Sequence, residues 1–273
     1  MIFPEVGTLR VALTGAVLVA VTLALLPPFW LVVRRIFPGR NVFFARWGFI
    51  DVARVILVGV VAAFIAAAVL AGIESQLLQG LAATVLIFAS MSAMCARIAV
   101  RTEPSGLRAL GFESGKAARS IGTGLFLYIA TLPGIVGLSL MAPWFVEIGG
   151  GVWEVQSMLP EFIELSAGAK VGAVLAMVLL IPLFEEVLFR GFLQPLLVQN
   201  LREPGGIALT SLIFAALHGE SMFLPVFGLS VVLGVVKLRT QRLGASWCVH
   251  AAHNAIVLGL YSYSAGLRSV LGD

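Results

Sequence analysis

A few ionisable side chains stand inside otherwise apolar runs of this chain, where chemistry is the simplest reason to keep them. The run Phe184-Glu185-Glu186-Val187-Leu188-Phe189-Arg190 holds two carboxylates and a guanidinium. Glu186 and Arg190 are four residues apart, so they share a helix face and can form a charge-assisted pair. Glu185 has Phe189 at the corresponding position and points about 100° away from Glu186 around the helix. The two carboxylates therefore have different expected roles: the paired one supports structure, and the lone one suits a general base. The histidines, His218, His250 and His253, come late in the chain, inside or at the ends of apolar runs. His250 and Asn254 are again four apart, so an imidazole and an amide oxygen can approach one point. His218 ends the run Phe214-Ala215-Ala216-Leu217-His218. Two imidazoles with a carboxylate or amide oxygen are the donor set of a catalytic zinc that keeps one position for water. On that basis His218, His250, Asn254 and Glu185 are the candidate zinc ligands. The metal would lower the pKa of its water to about 7 and polarise a scissile carbonyl, while a nearby Glu takes the proton. His253, three residues from His250 and partly rotated away, is expected to pack or hydrogen-bond rather than ligate. The chain has no His-Glu-x-x-His pair, no Gly-x-Ser-x-Gly elbow and no Gly-x-x-x-x-Gly-Lys phosphate loop.

The elements that must hold these groups are membrane helices. Of 273 residues 60% are apolar and only 12% charged, where a soluble domain carries about 25% charge. Mean hydropathy is +1.04, which excludes a soluble globular protein and, with charges clustered between long uncharged runs, excludes disorder. The net charge of +4 is explained by loops and calls for no nucleic-acid partner. Uncharged runs predict an all-α, polytopic transmembrane helical bundle of about eight spans: Val11–Val33, Val55–Ile73, Ser75–Ala96, Ser120–Val146, Val171–Val198 interrupted by the charged triplet Glu185, Glu186 and Arg190, Pro204–Leu217, Ser221–Val236 and Leu243–Leu267. Residues 1–273 read as a single membrane domain, with four N-terminal spans in 1–146 and the candidate site on four spans in 171–267. Pro27 and Pro28 are expected to kink or end the first helix. The Glu-rich segment between spans four and five is expected to form a short surface helix. Cys95 and Cys248 read as packing residues. Under the positive-inside rule all Lys and Arg except Arg10, Lys170 and Arg268 fall on one side, which places both termini outside. Counting inward from the expected cytoplasmic helix ends, Glu185, His218, His250 and Asn254 lie ~9, ~21, ~10 and ~16 Å deep at 1.5 Å per residue. Tilt or kinking must bring His218 up to the others, around a polar cavity that faces the cytosol.

Glu185-Glu186-x-x-x-Arg190, Phe214-x-x-x-His218 and His250-x-x-x-Asn254, in that order on successive late helices, resemble the three motifs of the CPBP intramembrane metalloproteases. That group includes the type II CAAX prenyl endopeptidases and bacterial relatives (Abi) linked to bacteriocin immunity. The resemblance covers roughly residues 171–263. It implies an integral protein of the bacterial cytoplasmic membrane that hydrolyses a peptide bond in a membrane-associated substrate, such as a CAAX-type prenylated protein. It further implies catalytic roles for Glu185, Glu186, Arg190, His218, His250 and Asn254. Glu185 would activate water, His218, His250 and Asn254 would form the metal or water site, and Glu186 with Arg190 would support them. The same residues also suit a glutamate protease, with Glu185 acting directly and His250 and Asn254 stabilising the oxyanion. Two other functions are compatible with the residues alone: a proton- or ion-coupled transporter, and a catalytically silent immunity or scaffold protein.

Overall fold

The structure is a computed structural model that describes residues 6–36, 45–113, 115, 117–153 and 158–271. Among the described residues every regular element is helical. α1 (Val6–Ile36), α2 (Phe49–Val69), α3 (Gln76–Thr102) and α4 (Ala117–Ile148) form the first half. α1 runs past Pro27 and Pro28 rather than ending there. α2 and α3 pack as a hairpin, and α4 lies between α1 and the second half. The expected short helix between the fourth and fifth spans is α5 (Met158–Glu164). Its Glu161 accepts hydrogen bonds from Ser75 Oγ at 2.7 Å and Leu77 N at 2.9 Å, which satisfies the free donors at the start of α3.

Seven helical stretches are long and apolar enough to cross a membrane, which makes this an integral, all-α membrane protein. The fifth stretch, Ala167–Ala216, covers 50 residues, about 75 Å if straight and far more than a bilayer core. It therefore has to break, and it does so at Arg202, whose φ is 63°. Beyond the break the chain folds back: a Cβ added to Gly206 would lie 2.5 Å from Val198 Cα, so only glycine permits this approach. The expected fifth and sixth spans are thus two legs of one interrupted helical tract. The count of seven follows from joining them.

The first leg is itself irregular. α6 (Ala167–Val174) leads into a π segment, Leu175–Leu180, then α7 (Ile181–Glu186), a second π segment, Val187–Leu193, and α8 (Gln194–Ala216). Pro182 follows the first π segment and Pro195 the second. Proline lacks an amide hydrogen and its ring collides with the carbonyl four residues back, so a widened turn relieves the clash. α9 (Phe223–Thr240) and α10 (Leu243–Leu271) complete the bundle.

Candidate functional site

The widened turns free backbone carbonyls for other helices. Ile181 N bonds to Ala176 O, five residues back, so Met177 O loses its usual partner and accepts Asn254 Nδ2 at 2.9 Å instead. In the same segment Leu179 O accepts Trp247 Nε1 at 3.0 Å. In the second π segment Phe192 O accepts Trp47 Nε1 at 3.0 Å, with the two rings stacked at 4.9 Å. α10 is thereby stitched to the irregular leg at two heights, which sets His250 opposite the end of α7.

There the expected residues converge. Glu185 Oε2 lies 3.7 Å from His250 Nε2, and its Oε1 lies 3.9 Å from His218 Nε2. Each imidazole is held from behind by its other nitrogen. His218 Nδ1 donates to Phe214 O at 2.8 Å, and His250 Nδ1 donates to Glu186 Oε1 at 3.1 Å. With Nδ1 committed as a donor in both rings, both Nε2 atoms face the Glu185 carboxylate. His218 lies in the turn beyond α8, where burial holds it below the ordinary imidazole range and keeps it neutral. The 3.7 and 3.9 Å separations are too long for direct hydrogen bonds. They set the carboxylate beside both imidazoles, close enough for one water to bridge the edge of the group.

Glu186 and Arg190 have no solvent exposure. The expected pair is present, with Arg190 Nη1 3.6 Å from Glu186 Oε1. Glu186 does more than pair, because the same oxygen fixes the His250 tautomer. Arg190 Nη2 donates to Ser230 Oγ at 3.0 Å, and its guanidinium carbon lies 4.5 Å from the centre of the Phe214 ring. Phe214 also packs against His218 and His250, with ring centres 4.6 and 5.8 Å away. One aromatic ring thus braces three polar groups, which explains why the second motif pairs a Phe with its His.

Side-chain contacts bring together Glu185, Glu186, Arg190, His218 and His250. Asn254 joins through backbone: its amide nitrogen is committed to Met177 O, which leaves Oδ1 as its acceptor. The large expected depth difference between Glu185 and His218 is absent, since they are neighbours. α8 stops at Ala216 and His218 caps its last turn. His253 faces away, where its Nδ1 and Tyr128 OH hydrogen-bond at 3.0 Å, in keeping with a packing role. Two further side chains serve the site, Ser230 on Arg190 and Gln194, whose Nε2 donates to Gly234 O at 2.9 Å. Gln194 was detectable, because it lies four residues beyond Arg190 in the chain. Ser230 carried no signal in an uncharged run.

The two imidazoles, each held through Nδ1 by a carbonyl or carboxylate, have the second-layer bonding typical of zinc-binding histidines. Among the described residues, however, no three His, Cys, Asp or Glu side chains stand together closely enough to hold a metal ion. The donor chemistry suits zinc while the coordination sphere is not closed.

Fold and site together define a polytopic helical membrane protein with a buried acid and imidazole centre. Residues 167–256 match the family model described as Rce1-like, type II CAAX prenyl endopeptidase, a likeness that covers a third of the chain. The match begins at α6 and ends two residues beyond Asn254, so it contains every residue of the site. No curated protein and no solved structure matches the chain.

Proposed function

We propose that the protein is an intramembrane endopeptidase of the CAAX type, acting on a membrane-associated peptide or lipidated protein through water activated by Glu185. The carrying observation is the placement of the Glu185 carboxylate between two imidazole Nε2 atoms at 3.7 and 3.9 Å. A water bridging the edge of this group donates one hydrogen to Glu185 and the other to His218 Nε2. Glu185 takes the proton as the water oxygen attacks the scissile carbonyl, then returns it to the leaving amine. His250 stabilises the oxyanion in its imidazolium form, held through Nδ1 by Glu186. Arg190 keeps Glu186 in place for that task. His218, with 28% of its side chain accessible, is more exposed than Glu185, Glu186, Arg190 or His250, and marks where the site opens. The basic loops favour the cytosolic side for that opening, with both termini on the opposite side.

Zinc, if bound, would be held by His218 and His250 through Nε2 with Asn254 or Glu185 as a third ligand. It would supply a more acidic water and a polarised carbonyl. The test is cleavage of lipidated and unlipidated reporter peptides by purified protein, read alongside its metal content. Cleavage lost in Glu185→Gln, with the fold retained, supports the proposal; equal cleavage by Glu185→Gln overturns it. One zinc per chain, lost in His218→Ala, assigns the metal form. Chelator-insensitive cleavage without metal assigns the reaction to Glu185 alone.

A further inference from the structure

The loop after α3 has an inner face that fastens the site and an outer face that the hydrolytic scheme does not use. Its short 3₁₀ turn, Gly106–Leu110, buries Ala109 and Leu110, while Leu107 and Phe112 stand 43% and 45% exposed. On the inner face, a Cβ on Gly191, next to Arg190, would come 3.1 Å from Leu110 O. Gly111 O accepts Leu243 N at 3.0 Å at the start of α10, seven residues before His250. Gly111 has a φ of 101°, and a Cβ there would lie 2.8 Å from Lys237 Cε, so this fit requires glycine. Glu113 O accepts Arg242 Nη1 at 2.9 Å. The loop thus braces both the second π segment and the start of α10, the two elements that carry Arg190 and His250.

The outer face is basic and apolar at once. Arg97 and Arg101 are four apart on α3 with Val100 beside them, so the three share one helix face. All three are exposed, Val100 at 58%. A Cβ on Gly106 would lie 4.0 Å from Val100 Cγ2, so the turn folds back over this face and brings Leu107 and the exposed Arg108 to it. The acids of the region are engaged elsewhere. Glu103 accepts Arg46 N at 2.6 Å, Glu113 pairs with Arg242 at 3.5 Å and Asp51 pairs with Arg54 at 2.7 Å. Among the described residues Arg97, Arg101 and Arg108 have no side-chain hydrogen-bond or ion-pair partner. Water solvates such cations well, but it gains nothing from Leu107 and Phe112, which lie past the end of the α3 span at Thr102. Cations and apolar side chains at one level match the boundary between headgroups and acyl chains. These cations lie on the basic side of the protein, where anionic lipid attracts them.

We propose that this outer face is a seat for an anionic phospholipid, with Arg97, Arg101 and Arg108 toward the headgroup and Leu107 and Phe112 toward the acyl chains. Its inner face holds Leu110 against Gly191 and Gly111 against Leu243, so an occupied seat steadies the corner on which Arg190 and His250 depend. The consequence for cleavage rests on the proteolytic reading above; the binding of lipid does not.

The test uses the full chain, with phosphatidylglycerol and phosphatidylcholine of identical acyl chains as probes. In native mass spectrometry from detergent, the first phosphatidylglycerol should bind about tenfold more tightly than the first phosphatidylcholine. Arg101→Gln/Arg108→Gln should erase that preference, and Arg101→Lys/Arg108→Lys should keep most of it. Arg54→Gln/Arg202→Gln removes the same charge from the same basic side and should leave the preference intact. In nanodiscs, replacing phosphatidylcholine by phosphatidylglycerol should raise the unfolding midpoint of wild-type protein by at least about 2 °C, and should not do so for Arg101→Gln/Arg108→Gln. Equal binding of the two lipids, or a preference unchanged in Arg101→Gln/Arg108→Gln, overturns the seat. A preference lost equally in Arg54→Gln/Arg202→Gln also overturns it and assigns lipid binding to total charge. An intact preference with no shift of the midpoint overturns the steadying of the corner. If the lipid results hold while wild-type protein cleaves nothing in either lipid, the seat stands and the proteolytic reading falls; cleavage without any lipid preference removes the seat alone.

Discussion

Polar side chains in α1–α4 mostly turn back on their own helix. Thr22 Oγ1 donates to Leu18 O at 2.8 Å, Thr84 Oγ1 to Gly80 O at 2.8 Å, Ser90 Oγ to Leu86 O at 2.8 Å and Ser139 Oγ to Ile135 O at 3.0 Å. In the segment that matches the family model, polar side chains cross between helices. Asn254 and Trp247 reach the first π segment, Arg190 and Gln194 reach α9, and His250 reaches Glu186. A hydroxyl bonded to its own helix satisfies itself and constrains no neighbour. A cross-helix bond fixes two helices relative to each other, and it is available here because proline and π turns release carbonyls. The first half thus behaves as a lipid-facing frame and the second as a positioned constellation. The frame enters the constellation at a few points, such as Trp47 on Phe192 O and Ser92 Oγ on Phe184 O at 3.3 Å.

The contrast is sharpest at the adjacent glutamates. Glu185→Gln removes the proposed base without emptying the chamber, so cleavage should fall by about 10²–10⁴-fold while the unfolding midpoint stays at the wild-type value. Glu186→Gln should do the reverse in stability. It leaves Arg190 buried without its carboxylate and His250 without its charged anchor, a loss of about 3–5 kcal/mol for a broken buried pair. Denaturation in mixed micelles reads both. Equal destabilisation by the two variants would break the division between working and supporting carboxylate.

Below these in size come the bonds that hold α10 to the irregular leg. Asn254→Leu and Trp247→Phe each remove one interhelical hydrogen bond to a released carbonyl, for an expected loss of about 0.6–1.7 kcal/mol within a membrane. Because those bonds also set His250 against Glu186, cleavage should fall with them. Stability loss without any loss of cleavage would show that the π carbonyls fasten helices but do not place the site.

The residues of the site were legible because hydrocarbon makes each ionisable group conspicuous. Glu185, Glu186, Arg190, His218 and His250 stood out singly, and the spacing of Glu186 and Arg190 foretold their contact. What the sequence concealed depends on backbone departures from a regular helix. A depth count at 1.5 Å per residue put His218 far from Glu185, since it assumed an uninterrupted sixth helix reaching past Leu217. The reversal at Arg202, a non-glycine residue with positive φ, carried no turn signal beyond the following Pro204-Gly205-Gly206. The role of Asn254 was concealed in the same way. Its donor bond depends on a carbonyl freed by a π turn, and a regular helix would have hidden Met177 O.

The smallest expected effect tests the other side of the contrast. Ser90 lies on α3 with its hydroxyl bonded to Leu86 O, so Ser90→Ala deletes a bond that joins no second helix. The freed carbonyl still sits within its own helical turn, where its amide partner persists, and no buried group is stranded. Alanine also favours helix more than serine does. The variant should therefore lie within about 0.5 kcal/mol of wild type, with unchanged cleavage. The comparison is between equal counts of deleted hydrogen bonds, one in Ser90→Ala and one in Trp247→Phe, in the same micelle. If the α3 hydroxyl costs as much as the α10 indole, direction of bonding is irrelevant and the frame is as finely positioned as the site.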